Sequence, residues 1–149
     1  MYFRAWTRVS VTLTCLDESL RAIWEPRASS VEDRCRVLRA AQEAGIETGV
    51  MFGPLLPFLS DHQEYVDRLI ERAADLNVGV IWVDALNPRP KVWESLRAVL
   101  SRSYPDLLER YRAVLFAPRV REAYGAALRE RVMRAAKRFH VAERVAGCA

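Results

Sequence analysis

The chain has little of what most often binds metal, with two histidines and three cysteines in 149 residues, and their spacing excludes the familiar motifs. Cys15, Cys35 and Cys148 are odd in number and far apart, which excludes a paired disulfide framework and a CxxC metal pair. Cys15 and Cys35 read as small buried hydrophobes and Cys148 as part of a frayed tail. His62 and His140 lie in neither an HExxH nor an HxxxH pattern, so no metal-ligand set is expected from this chain alone. The longest stretch without a charge, Thr48 to Ser60, is interrupted by Pro54 and Pro57 and falls short of the roughly 20 residues a membrane span needs. The opening MYFRAWTRVS has neither a sustained apolar region nor a small-residue cleavage site. These absences predict a cytoplasmic protein with no membrane contact. No glycine-serine linker or low-complexity tract divides the sequence, so one domain is expected over 1–149.

What is present is ordinary globular composition, 51% hydrophobic and 28% charged, with a formal net charge of +4. The excess is local. From Pro118 to Ala149 there are eight Lys or Arg against three Asp or Glu, and the remainder is close to neutral. A basic terminal segment meets phosphate, or it is a solvated helix face.

Along the chain, Tyr2, Phe3 and Trp6 precede any clear element and imply a surface upstream to pack on. Arg8 to Cys15 alternates, Val9, Val11 and Leu13 against Ser10, Thr12 and Thr14, which predicts a strand. Its hydroxyl face is unlike a fully buried parallel strand and reads either as a ligand-lined interior or as a half-exposed strand. Asp17 caps a short helix that Glu25-Pro26 ends. Ser29 or Ser30 opens a second helix, with Val31, Cys35, Leu38, Ala41 and Gln42 along one face, closed by Gly45. Ile46 to Phe52 is the next strand, leaving by a rigid loop from Gly53 to Pro57. Asp61 begins a third helix with Tyr65, Leu69, Ile70 and Ala73 as its buried stripe, and Val78 to Val83 is a third strand. Three amphipathic helices complete the chain. The first carries Trp93, Leu96, Val99 and Leu100, the next runs from Asp106 to Phe116, and the last from Pro118 to Phe139 buries Val120, Tyr124, Leu128, Val132 and Phe139. The pattern predicts an α/β fold, a partial (β/α) barrel of about three parallel βα units followed by C-terminal helices.

Thr14 with Asp17, Glu25-Pro26, Arg34, Ala44-Gly45-Ile46, Pro54 with Pro57, and Leu86 to Arg89 occur in an order that resembles the second half of a radical SAM domain. The similarity is to the branch with spore photoproduct lyase and the DNA repair photolyase-like proteins, and it covers roughly residues 8–115, followed by a basic helical extension over 118–149. Two family features are missing: the C-x-x-x-C-x-x-C loop that ligates the iron-sulfur cluster and the glycine-rich G-G-E segment. The chain resembles a barrel entered at about its fourth strand.

By this resemblance the cofactor is S-adenosylmethionine (SAM), and the family's 4Fe-4S cluster has no ligands in this chain. Ser10, Thr12 and Thr14 would hydrogen-bond the SAM ribose, and Arg34 would pair with its carboxylate. The backbone from Val50 to Gly53, with Gly53 and Pro54 at the mouth, would flank the adenine. Asp84, Asn87 and Arg89 would lie on the substrate side. Arg34 also reads as a surface helix charge braced against Glu25, and Asp84, Asn87 and Arg89 as turn chemistry before proline. The resemblance implies a truncated enzyme, inactive alone, whose partner is a missing N-terminal half or a second copy joined through exposed sheet edges. The alternative is a structural remnant or a nucleic-acid-binding module using Arg129, Arg131, Arg134, Lys137 and Arg138.

Overall fold

Parallel strands and amphipathic helices alternate through a computed structural model that describes residues 7–148. The aromatics Tyr2, Phe3 and Trp6 lie outside the described residues. Strand β1 (Arg8–Leu13) leads through a short helix α1 (Glu18–Trp24) to helix α2 (Val31–Glu43) and strand β2 (Glu47–Leu55). Helix α3 (Gln63–Asp75) precedes strand β3 (Val80–Ala85). Helices α4 (Pro90–Ser103), α5 (Leu108–Phe116) and α6 (Pro118–Arg138) follow, and strand β4 (Val145–Cys148) ends the described chain.

Local chemistry accounts for the boundaries. The Asp17 carboxylate accepts the Leu20 N–H at 2.9 Å and Ser30 Oγ accepts the Asp33 N–H at 3.0 Å, so each helix start has a side-chain acceptor for an orphan amide. Gly45 takes φ +72° after α2, the left-handed conformation that a C′ glycine adopts without strain. Pro118 occupies the first turn of α6, where its missing N–H has no helical partner to lose.

The four strands are all parallel, in the sequential order β1-β2-β3-β4. One sheet face carries Leu13, Val50, Phe52, Ile81 and Val83 into a core shared with Cys35 and Leu38 of α2, Val66, Leu69 and Ile70 of α3, and Leu128 and Val132 of α6. A second core, Leu86, Leu96, Leu100, Tyr111 and Leu115 with Trp24 and Phe58 against it, forms a helical cap from α4 and α5. No helix among the described residues is long and apolar enough to cross a membrane.

Several sequence expectations need correction. A fourth strand exists: β4 pairs with β3, Cys148 opposite Val83, so Cys148 is part of the sheet and not of a frayed tail. β2 continues through Gly53-Pro54, a cis peptide at a register shift between Phe52 and Leu55, where the sequence reads as loop. Asp61 does not open α3. It is buried, and its Oδ1 accepts the Phe58 N–H at 2.9 Å, closing the preceding turn. Val120 is 43% exposed, because α6 begins beyond the end of the sheet core.

Candidate functional site at the carboxyl ends of the strands

The first three strands end beneath the helical cap, and the space between them is a cavity of about 360 Å³. Its wall combines Thr14, Pro54 and Leu86 from just beyond or at the strand ends with Trp24 and Glu25 from the end of α1 and Lys91, Val92, Ser95, Leu96 and Val99 from α4. Ligands of parallel α/β folds bind at this end of the sheet, where loops diverge. The lining is mainly apolar, with Thr14, Glu25, Lys91 and Ser95 as its polar groups. Trp24 Nε1 is buried and has no hydrogen-bond partner among the described residues.

No helix among the described residues packs on the sheet face opposite the core. Arg8, Ser10 and Thr12 of β1, Met51 of β2, Trp82 and Asp84 of β3 and Gly147 of β4 lie on it. Ser10, Thr12 and Met51 are exposed. Two glycines keep it shallow. A Cβ at Gly49 would fall 2.8 Å from Ser10 Oγ and 2.9 Å from the Trp82 ring, and one at Gly53 would fall 2.7 Å from Asp84 Cβ and 3.3 Å from its backbone N. A hydroxyl can rotate aside, whereas a paired strand backbone cannot. Gly53→Ala is therefore expected to destabilise by about 1–2 kcal/mol through overpacking, with Gly49→Ala the milder of the two. Urea midpoints of both variants check the order, and a Gly53→Ala protein as stable as wild type would refute the close approach.

The sequence-derived site residues do not converge on one place. Thr14, Gly53 and Pro54 meet at the mouth: Thr14 is buried, its hydroxyl 3.5 Å from the Gly53 carbonyl, and its own carbonyl accepts from Ser60 Oγ at 3.3 Å. Ser10 and Thr12 stand on the bare face below. Arg34 does not line the cavity. Its Nη1 donates to the Thr12 carbonyl at 2.6 Å and its Nη2 to Glu25 at 3.2 Å, so the brace between Glu25 and Arg34 exists and places the carboxylate on the cavity wall. Asp84 is half-buried on the bare face, while Asn87 and Arg89 are exposed before α4, Arg89 as its N-cap residue without a side-chain cap bond.

The basic residues of α6 point in several directions. Arg131 donates to the Asp61 carbonyl at 3.0 Å, Arg134 to Glu130 at 2.6 Å and Arg138 to Asp67 at 2.8 Å. Arg129 lies along a groove with Arg121 and Glu122, and Lys137 is exposed. Sequence reasoning missed Trp24, Lys91 and Ser95 as lining residues. The only signal was position, a tryptophan directly before the Glu25-Pro26 break and a lysine in the first turn after Pro90.

Burial keeps the three thiols in their protonated form. Burial, reinforced by Glu25 and Asp17 nearby, pushes the Cys15 thiol up to about 11, and burial also raises Cys35 and Cys148. A cluster needs thiolates converging on one point, and no group of three or more His, Cys, Asp or Glu among the described residues is placed to hold a metal.

No family model and no solved structure matches the chain. Over 125 residues, 83% of this chain, the sequence is 30% identical to uncharacterized protein Rv2578c of Mycobacterium tuberculosis, covering 37% of that protein, and equally to uncharacterized protein Mb2609c of Mycobacterium bovis. It is also 30% identical over 120 residues to uncharacterized protein ORF301 of Acidianus two-tailed virus, covering 69% of this chain and 40% of that one. The chain thus spans well under half the length of the curated relatives it matches.

Proposed function

We propose that this chain is the later part of a radical SAM barrel of the DNA repair photolyase-like type, and that it holds the adenosyl portion of SAM at the carboxyl ends of its strands. One observation carries the reading: among the described residues, an all-parallel sheet in sequential order has helices on one face only. Parallel sheets are ordinarily covered on both faces, and the exception is a barrel, whose inner face closes on itself. The bare face with Ser10, Thr12 and Asp84 is then a barrel interior, and the cavity at Thr14 and Pro54 its mouth.

The residues present suit the nucleoside and not the cluster. Thr14 and Ser95 offer hydroxyls to a ribose, and Lys91 offers a cation to a carboxylate. With its cluster, the cofactor supplies one-electron chemistry that no side chain provides. The cysteines of this chain do not fit the cluster, so the chain binds and orients the nucleoside while thiolates from elsewhere are required for the reaction. The alternative, nucleic-acid binding by α6, has weaker support, because Arg131, Arg134 and Arg138 are engaged within the protein.

Equilibrium dialysis against labelled SAM and S-adenosylhomocysteine tests the reading. Retention is expected with a dissociation constant on the order of 1 mM or tighter, together with a change in tryptophan fluorescence and a clear loss on Thr14→Val. Absence of retention at several times that concentration would refute it. A stoichiometric 4Fe-4S signal after anaerobic reconstitution of this polypeptide would refute the assignment of the cluster to other thiolates.

A further inference from the structure

We propose that a groove at the end of β3 binds the phosphate of a small phosphate monoester through Arg121 and Arg129, and that this ester is held on the substrate side of the cofactor cavity. The groove has a volume of about 390 Å³, and its walls come from Ala85 and Leu86 at the end of β3, Val114 of α5 and residues of α6 between Pro118 and Arg129. All of these elements lie inside the chain. Leu86 also lines the cavity beneath the cap, so the two hollows adjoin across one side chain. Placing the ester on the substrate side rests on the cofactor reading above, whereas the phosphate site itself stands without it.

Gly125 is the pivotal residue. It sits inside α6, where glycine is less favourable than alanine because more backbone entropy is lost on ordering it. Nothing among the described residues requires it there: a Cβ at this position would meet only Arg129 Nη1, at an ordinary contact distance of 3.6 Å. What the missing side chain leaves is room at the floor of the groove, between two arginines one turn to either side. Arg129 leans back toward Gly125, the direction helical side chains take. Its neighbours Arg131, Arg134 and Arg138 are each tied to an oxygen of the protein, and Arg129 has no such acceptor among the described residues. Arg121 Nη1 is 3.5 Å from the Leu115 carbonyl, at the outer limit of a hydrogen bond, so its guanidinium turns toward the groove at little cost. A guanidinium fork matches two phosphate oxygens, and Leu86, Val114 and Pro118 offer an apolar wall to the organic part of the ester. Glu122 lines the same groove and repels a second phosphate. With Arg131, Arg134 and Arg138 engaged as well, the described part of α6 offers no continuous basic track for a nucleic-acid backbone. Two cations and one carboxylate suit a single phosphate group.

Titration calorimetry with inorganic phosphate and ribose 5-phosphate, and with ribose as the uncharged control, tests the groove. Both anions are expected to bind with a dissociation constant on the order of 1 mM, and ribose not at all. Arg129→Gln should weaken binding about tenfold through the loss of a charge-assisted hydrogen bond, and Glu122→Gln should tighten it. Gly125→Leu fills the floor and should abolish binding while the urea midpoint holds or rises, because leucine is the better helix former. Absence of binding well above that concentration, an Arg129→Gln protein that binds like wild type, or a Gly125→Leu protein that loses stability and so shows the glycine to be needed for packing would each overturn the proposal. A single-stranded oligonucleotide held more tightly than ribose 5-phosphate, and released by the same variants, would overturn the choice of a monoester. SAM and ribose 5-phosphate should bind together, each in its own hollow, and competition between them would overturn the separate groove. Phosphate binding by a protein that retains no SAM would overturn the placing on the substrate side alone, whereas SAM retention without phosphate binding would overturn the groove and leave the cofactor reading standing.

Discussion

Tyr111→Ala is expected to remove about 3–5 kcal/mol of stability, the loss typical of a large aromatic cut out of a core. Tyr111 is fully buried. Its ring lies parallel to Trp24 at 6.4 Å and 8°, and meets Phe58 edge-on at 6.1 Å and 63°. It therefore joins three separate pieces of chain, the end of α1, the turn before α3 and α5, at the root of the cap. Against a total of about 5–15 kcal/mol for a domain, such a loss leaves a marginal protein. The cap would loosen first, and with it the far wall of the cavity, so ligand retention should fall at denaturant concentrations where the sheet core is still intact.

The hydroxyl of the same residue separates packing from hydrogen bonding. Tyr111 Oη has no hydrogen-bond partner among the described residues. An unmade bond contributes nothing, so Tyr111→Phe should cost less than about 1 kcal/mol or be stabilising. Burial, and then the Asp61 carboxylate, push the ionisation of this phenol well above its ordinary range, and Tyr124 is displaced upward for the same first two reasons. A raised acid pKa means that the folded state favours the protonated form. The associated stability is complete below the unfolded tyrosine value of about 10 and is lost as pH rises above it. Tyr111→Phe should accordingly move the alkaline unfolding midpoint upward. Urea and alkaline titrations followed by tryptophan fluorescence check both variants, and a Phe variant as unstable as the Ala variant would show that the hydroxyl, not the ring, holds the cap.

The parts of this architecture that were legible in the sequence are those set by near neighbours. Alternation along Val9 to Thr14, the Asp17 and Ser30 caps, the Gly45 stop and the Tyr65 to Ala73 stripe each depend on residues within a turn or two, and each stands where the periodicity puts it. β4 was illegible because four residues containing Gly147 carry no alternation of their own, and only β3 beside them makes them a strand. Continuation of β2 through Pro54 was hidden for a similar reason, since proline ordinarily ends a strand and here sits at a register shift. In the site, Thr14 and Pro54 were readable as strand-end residues. Trp24, Lys91 and Ser95 were not, because they reach the cavity only once the cap folds over the sheet, a tertiary event with no local period.

Arg34→Ala is expected to cost about 2–3 kcal/mol, below the full cost of breaking a buried pair because the partner carboxylate keeps some access to water. The side chain of Arg34 is 13% exposed and that of Glu25 28%. One planar guanidinium joins the Thr12 carbonyl on β1 to Glu25 beyond α1, and its Nε lies 3.4 Å from Ser29 Oγ. Truncation leaves a strand carbonyl without its side-chain donor and a carboxylate unpaired on the cavity wall. Arg34→Lys keeps the charge but not the fork, and a point charge cannot satisfy both acceptors in that geometry, so an intermediate loss is expected. Glu25→Gln on the Arg34→Ala background should recover part of the loss, because the group left behind is then neutral, and the double-mutant cycle should give a coupling of about 1 kcal/mol. The same series separates two roles for this arginine. If it braces the rim, stability falls and SAM retention falls only as the rim loosens, with Glu25→Gln restoring some of each. If instead it is held in reserve for a cofactor carboxylate, Arg34→Ala leaves the urea midpoint where it was and abolishes retention alone. An unchanged midpoint would therefore contradict the contacts from which the brace is inferred.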